Sequence, residues 1–551
     1  MEFRTLKAIL ATAILLVSAT SAFGGGACPS LPAPSGTIIA ADSETEIWQA
    51  VNNASPGTTI LIADGTYHLG QNGHYLWIDT PNVTLRSASG DRESVILDDN
   101  YSGSEIISVA ASNVTIADLT IKRAGTHPIH VVSTDSGDTL NTLIYNVHIV
   151  DPGQQAIKIN PHTGQVHFTD NGVVACSTIE LTDAGRAKVL ELNGSCYTGG
   201  VDGHQSRAWV IRDNIIKGFW CSQGLSEYGV HFWTGSRDTV VERNNLIDNA
   251  RGIGFGLGET GAGRTYGDHP CSGAGGYVGH YDGSIRNNFI FASSTDLFAS
   301  EYGADGGIAL NQACGAQVVH NTVAFIGAPF AAIEWRFANT DIDLINNLVT
   351  HNLMDRGGAA SLAGNLSNQP LALFVDGAHG DLHLNSSAGA VLDQGVLLLS
   401  GICDDDFDGQ ARPASSGRDI GADEHTNGAV NTAPMAHGPS VTVEHDSVGN
   451  AIVLLGSDGD GDPLVFAVTS NPANGSLSGA APDLLYTPNA GYSGGDSFTF
   501  SVSDGNGGSA SATVTITVQN ASSGTDTDDG HSGGGDSGGG GGGCFIDVLG
   551  R

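Results

Sequence analysis

The sequence runs to 551 residues, enough for more than one domain and a large buried core. Its 58 Asp and Glu against 22 Lys and Arg give a formal charge of -36. A surface so acidic repels phosphate, which excludes a general nucleic-acid or anionic-membrane binder and leaves an acidic substrate open only if the few cations are gathered in one place.

Residues 1–22 read as a secretory signal peptide: Arg4 and Lys7 precede an apolar run from Ala8 to Val17, and small residues follow to Ala22. The run is too short to be a membrane span, and no other stretch reaches about 18 apolar residues. The expectation is a secreted or bacterial cell-surface monomer with no transmembrane segment once the signal is removed. Export favours disulfides among the eight cysteines, and no CxxC or CxxH spacing argues for zinc. Cys176 with Cys196 would close a short excursion, and two of Cys221, Cys271 and Cys314 could pin a second.

Over residues 36–424 the chain repeats itself. The segments "YNVHIV", "RDNIIKG", "RNNLIDN", "RNNFIFA", "HNTVAF" and "INNLVTH" bring an Asn back at 146, 214, 245, 288, 321 and 347. Inside each unit the apolar residues alternate rather than recur every three or four. Short alternating strands with an Asn at a fixed turn are the coils of a parallel β-helix, in which the Asn amides form a ladder. The segments "PIHVV", "AIKIN", "GVDGH", "GVHFW", "GIGFG", "GIALN" and "AIEWR" then stack at about 4.8 Å with alternate residues outward. One outward column reads His130, Lys158, Asp202, His231, Gly254, Ala309, Glu334, and its neighbour Val132, Asn160, His204, Trp233, Gly256, Asn311, Arg336.

This region resembles the right-handed parallel β-helix proteins of the pectate-lyase-like superfamily. "IWQAVNNASPGTTILIADGTYHL" is similar to their opening cap, and "FVDGAHGDLHLNSSAGAVLDQGV" through "FDGQARPASSGRDIGADEH" resembles their closing coils. The resemblance implies an all-β fold but not one activity, because the fold carries lyases, hydrolases, epimerases and adhesins. It implies, for a lyase, a Lys or Arg base on the outer face, with calcium helping to bind the substrate carboxylate; Lys158 is the matching position.

Residues 431–519 change to alternating strands between Gly, Asp and Asn turns, a β-sandwich similar to cadherin-like surface modules. There the turn "DGDGDP" offers Asp458, Asp460 and Asp462 as calcium ligands. Residues 520–551 are a Gly, Ser and Asp-rich flexible tail carrying Cys544, a candidate anchor.

The two outward columns gather Lys158, Asp202, His204, His231, Trp233, Glu334 and Arg336, with Gly254 and Gly256 expected as a bare floor. Long segments at 161–198 and 257–283 are expected to wall this groove. Cleavage of a uronic-acid chain by β-elimination needs a base for the proton alpha to the carboxylate and a cation to neutralise that carboxylate. Lys158, His231 and His204 suit the base, and Arg336 suits the neutraliser or proton relay. Asp202 and Glu334 are candidate calcium ligands or orienters of the histidines. Trp233, Asn160, Asn311, Arg264, Tyr266, His280 and Tyr281 are candidate substrate contacts. The expected partner is an anionic polysaccharide. An inverting glycoside hydrolase is the rival: Asp202 and Glu334 stand too far apart for it unless Glu259 or Asp268 replaces one. A non-catalytic glycan-binding adhesin is the third reading.

Overall fold

The computed structural model describes residues 28–268, 271–413, 417–425, 434–458, 464–504 and 509–519. The expected signal peptide, Asp460, Asp462 and the Cys544 tail lie outside the described residues. Chain contacts divide the protein into two compact units, residues 1–430 and 431–551.

The first unit is a right-handed parallel β-helix of three sheets. It opens with a helix, Glu44–Asn52, whose N-cap Ser43 accepts from Glu46 N–H and whose Ile47, Ala50 and Val51 are buried. This helix packs on strands Thr37–Ala41, Thr58–Ile62 and Leu76–Ile78, covering the apolar end of the first coil. Each later coil gives one strand to each sheet. The sheet that positions the site runs from Leu76–Ile78 through Ile107–Val109, Ile129–Val132, Gln155–Asn160, Gly199–His204, Val230–Trp233, Arg251–Phe255, Gly306–Asn311 and Ala331–Arg336 to Leu353–Arg356; it is called the third sheet below.

The register of the third sheet is the one that alternation predicts. Ile107, Ile129, Ile157, Val201, Val230, Ile253, Ile308 and Ile333 are successive partners, all buried. A one-residue slip would turn this whole column to water, so burial fixes the register. With the core column inward, His130, Lys158, Asp202, His231, Gly254, Ala309 and Glu334 line up on the other face, continued by Met354.

The Asn ladder is continuous from Asn214 to Asn365, but two of the expected asparagines, Asn245 and Asn146, are not part of it. Asn214 donates to Asn244, Asn244 to Asn288, Asn288 to Asn321, Asn321 to Asn347 and Asn347 to Asn365, at 2.9–3.0 Å. Asn245 instead begins strand Asn245–Ile247, because the ladder residue stands two before the inward Leu246. Asn146 is also outside the ladder; its amide donates to Asp118.

Among the described residues three disulfides form: Cys28–Cys176, Cys196–Cys221 and Cys271–Cys314. The expected Cys176–Cys196 pair is therefore wrong, whereas Cys271–Cys314 is one of the pairs left open for the second excursion. Segment 161–198 is not a loop: it contributes Val173–Ala175 and Thr178–Glu180 to the other two sheets, then a helix, Asp183–Asn193. Segment 257–283 is a true excursion, tied down by Cys271–Cys314.

The second unit is a β-sandwich. A four-stranded sheet (Ser440–Glu444, Ser509–Gln519, Gly494–Ser503, Val465–Ser470) and a three-stranded one (Asn450–Val453, Asp483–Pro488, Gly475–Ala480) bury Ile452, Tyr486, Phe498, Phe500, Val514 and Ile516 between them. Among the described residues, no helix is long and apolar enough to cross a membrane.

Candidate functional site

Residues 158, 202 and 231 are adjacent in one outward column, and 204 and 233 are adjacent in the next. Side chains one strand apart are in reach of each other, so four polar side chains converge on Asp202. Its Oδ2 accepts from the Lys158 ammonium and lies 3.1 Å from His204 Nε2. Its Oδ1 accepts from Trp233 Nε1–H at 3.0 Å and lies 3.5 Å from His231 Nδ1. His231 Nδ1 is also 3.5 Å from Glu227 Oε2.

The group is packed rather than open. Lys158 is 5% exposed, Asp202 3% and His231 0%. Burial alone would raise the Asp202 carboxyl, but Lys158, His204 and His231 hold it well below the ordinary carboxylate range. Glu227 is lowered in the same way, burial being outweighed by His231. His231 lies between the rings of Tyr228, 4.6 Å away, and Trp233, 5.4 Å and nearly parallel. It cannot reach a substrate, so the expectation of His231 as a base is corrected: its ring is an internal brace. Lys158 is likewise an ammonium closed against a carboxylate, which removes it as the base. His204 keeps access to solvent, its side chain 23% exposed. Its Nε2 is 3.0 Å from Lys158 Nζ and 3.1 Å from Asp202 Oδ2, and its Nδ1 has no hydrogen-bond partner among the described residues. Asn160 stands beside Lys158 at the end of the same strand, with its Oδ1 buried and unbonded.

Farther along the same face a cavity of about 250 Å³ is lined by Tyr228, Arg251, Leu257, Gly258, Asp305, Asn311, Glu334, Arg336, Phe337 and Arg356. Arg251 pairs with Asp305 at 2.8 Å and covers the Tyr228 ring at 5.0 Å; Arg356 pairs with Glu334 at 2.7 Å. Arg336 rests on the Phe337 ring at 4.1 Å and has no carboxylate partner among the described residues. In a chain so acidic this is an unmatched cation facing a cavity. Burial raises the Tyr228 phenol against the opposing pull of Arg251, so the hydroxyl keeps its proton.

Arg336 is four strands from His204, roughly 19 Å at the strand spacing, so it does not act on the atoms that His204 reaches. Asp202 and Glu334 are separated equally and cannot share a calcium ion. Their oxygens are also engaged, by Lys158, His204 and Trp233 at one end and Arg356 at the other. The pair therefore does not fit the expected calcium site. The expected bare floor is filled as well: a Cβ on Gly254 would fall 2.8 Å from the Tyr228 ring, so this glycine exists to let the ring lie on the sheet.

Four expected substrate contacts from the 257–283 excursion serve the fold instead. Arg264 grips Asp170 through two bonds, at 2.7 and 2.9 Å, and covers Phe168. Tyr266 donates to Gly235 O and packs edge-on against Tyr281, which is buried beside Cys271. His280 is fully buried, stacked 3.9 Å from Phe255 and bonded to Thr239 Oγ1; burial pushes its imidazole down to about 3. From this excursion Leu257 and Gly258 line the cavity. Asp268 is bound to Arg237 rather than facing the site.

Sequence reasoning missed Glu227, Tyr228, Arg251, Asp305 and Arg356. Tyr228 and Arg251 each stand two residues before an inward apolar residue, Val230 or Ile253, where strand parity assigns them to the core. The corner at which each strand begins turns them outward. The readable signal is that neither a Tyr hydroxyl nor a guanidinium is tolerated unpaired in an apolar column.

Residues 431–517 match the bacterial Ig domain family. No curated protein sequence matches the chain. Among solved structures it is similar to an alginate lyase from Paenibacillus sp. str. FPU-7, with TM-score 0.39 and 14% identity over 60% of this chain and 98% of that one. It is also similar to the tailspike protein of E. coli bacteriophage HK620 in complex with a pentasaccharide, with TM-score 0.39 and 12% identity over 61% of this chain and 64% of that one. Endopolygalacturonase I from Stereum purpureum aligns with TM-score 0.28 and 11% identity over 60% of this chain and 99% of that one. The chain is a parallel β-helix protein that carries a bacterial Ig domain at residues 431–517.

Proposed function

We propose that the protein is an exported polysaccharide lyase that cleaves an anionic, uronic-acid-containing polysaccharide by β-elimination on the outer face of the third sheet. The observation that carries this reading is the setting of His204. Its Nε2 lies between a donor, the Lys158 ammonium, and an acceptor, the Asp202 carboxylate. With Nε2–H donated to Asp202, Nδ1 holds a lone pair; with Nε2 accepting from Lys158, Nδ1 carries the proton. The surroundings support both tautomers, so one outward nitrogen can serve first as base and then as acid.

β-Elimination asks for that pair of steps. Nδ1 takes the proton alpha to the substrate carboxylate, the electron pair forms the ring double bond, the bond to the glycosidic oxygen breaks, and that oxygen leaves with a proton. The Lys158 ammonium adds positive charge beside the developing anion. The cavity around Arg336 holds a carboxylate of a more distant sugar, and Asn311 adds an amide there. Trp233, whose indole N–H is fixed on Asp202, flanks His204 at 4.6 Å and positions its ring.

A second reading has its own observation. Asp202 and Glu227 flank the same His231 nitrogen, close enough to each other for the roughly 5–9.5 Å separation of paired catalytic carboxyls in glycoside hydrolases. Incubation with alginate, pectate, ulvan and glycosaminoglycans separates the readings. Ultraviolet absorbance of unsaturated products is expected. New reducing ends without unsaturation would move the assignment to the hydrolase, and binding without turnover to an adhesin.

A further inference from the structure

The closing region of the β-helix contains a second cluster, unrelated to the groove. After the short strand Asp381–Leu384, residues 385–425 form no strand or helix among the described residues, yet they cover the apolar cluster of Phe289, Phe291, Leu382, Leu384 and Ile420. His383 on that strand, Asp408 in the following loop and Asp423 in the last segment bring one ligand atom each to within 4.8 Å of one another.

Two features distinguish this cluster from a group of surface acids. Asp423 is 5% exposed, and its Oδ2 accepts from Leu384 N–H at 2.7 Å. A carboxylate buried this deeply calls for positive charge beside it. The buried guanidinium of the region, Arg412, makes its direct bonds elsewhere, to Glu424 and to the carbonyls of Asp405, Gly421 and Ala422. The second feature is the orientation of His383. Its Nδ1 is bonded to Asp381 at 2.6 Å and its ring stands edge-on to Phe289, which leaves Nε2 directed at Asp408, 3.1 Å away. A carboxylate on one imidazole nitrogen, with the other turned into an acidic cluster, is how metal-ligating histidines are held.

We propose that His383 Nε2, Asp408 and Asp423 bind one divalent transition-metal ion, zinc by ligand chemistry, which ties the three segments together. One imidazole and two carboxylates suit a four-coordinate zinc ion with water in the last position, whereas calcium takes six to eight oxygens. The ion adds positive charge beside Asp423 and staples an irregular segment that contributes no strand among the described residues.

The test uses the full chain after chelator treatment, titrated with zinc sulfate in a calorimeter and melted with and without the ion. The expected result is one ion per chain in this site and a Tm rise of several degrees at saturating zinc, with no comparable rise from calcium chloride. His383→Gln and Asp423→Asn should each weaken that binding at least tenfold. Asp408→Asn, at a more exposed position, should do the same and serves if the buried substitutions prevent folding. No zinc-dependent rise in Tm, or a rise that persists unchanged in Asp408→Asn, would overturn the proposal.

Discussion

The two clusters on the third sheet arise from the same repeat, four strands apart, but they treat charge in opposite ways. Around Asp202 every cation has its carboxylate, the group is almost wholly buried, and what it offers outward is one imidazole nitrogen held in place. Around Arg336 two guanidiniums are paired and the third is not, and the group opens onto a cavity. The difference teaches how a solenoid builds a site: charge closed within the fold fixes geometry, while charge left open binds. A single column of outward residues contains both because each coil adds one position every 4.8 Å or so, and neighbouring positions either neutralise one another or do not.

The comparison breaks first on stability. Asp202→Asn removes the counter-charge of a buried ammonium and should cost about 3–5 kcal/mol in denaturant unfolding. Glu334→Gln releases Arg356, whose side chain is 32% exposed, and should cost less than about 1 kcal/mol. Equal costs would mean that the two clusters are not different in kind.

Acid sharpens it. Since the folded Asp202 carboxyl is held below its unfolded value of about 3.9, its contribution is complete above that pH and is lost as pH falls through the folded value. The wild type should therefore lose stability below about pH 4 more steeply than Asp202→Asn. Smaller still is the effect of the open cation: Arg336→Ala should leave Tm within about 1 °C, because it breaks no ion pair. It should raise KM for the polymer about tenfold and leave kcat nearly unchanged.

Much of this was legible from residues alone. Alternation fixed which side chains share a face, down to the pairing of His204 with Trp233 and Asn311 with Arg336. It did not reveal burial: Lys158 and His231 are outward by parity, yet their neighbours and the Tyr228 ring cover them. Parity also hid Tyr228 and Arg251, because residues just before a strand or at its first position stand at a corner where alternation no longer decides direction. Distance along the axis is legible too: the four strands that separate Asp202 from Glu334 also separate His204 from Arg336. Aromatic and basic residues of the 257–283 excursion read as substrate contacts. A long segment must first be fastened to the body, and Arg264, Tyr266 and His280 do that.

The account's central claim is that His204 performs the proton transfers while Arg336 only holds substrate. Steady-state release of unsaturated product by His204→Ala, on the polymer that the wild type cleaves best, tests it most directly. The account predicts kcat lowered by two orders of magnitude or more with KM within about threefold of wild type. A kcat near that of the wild type would contradict it and move the chemistry away from the Asp202 group.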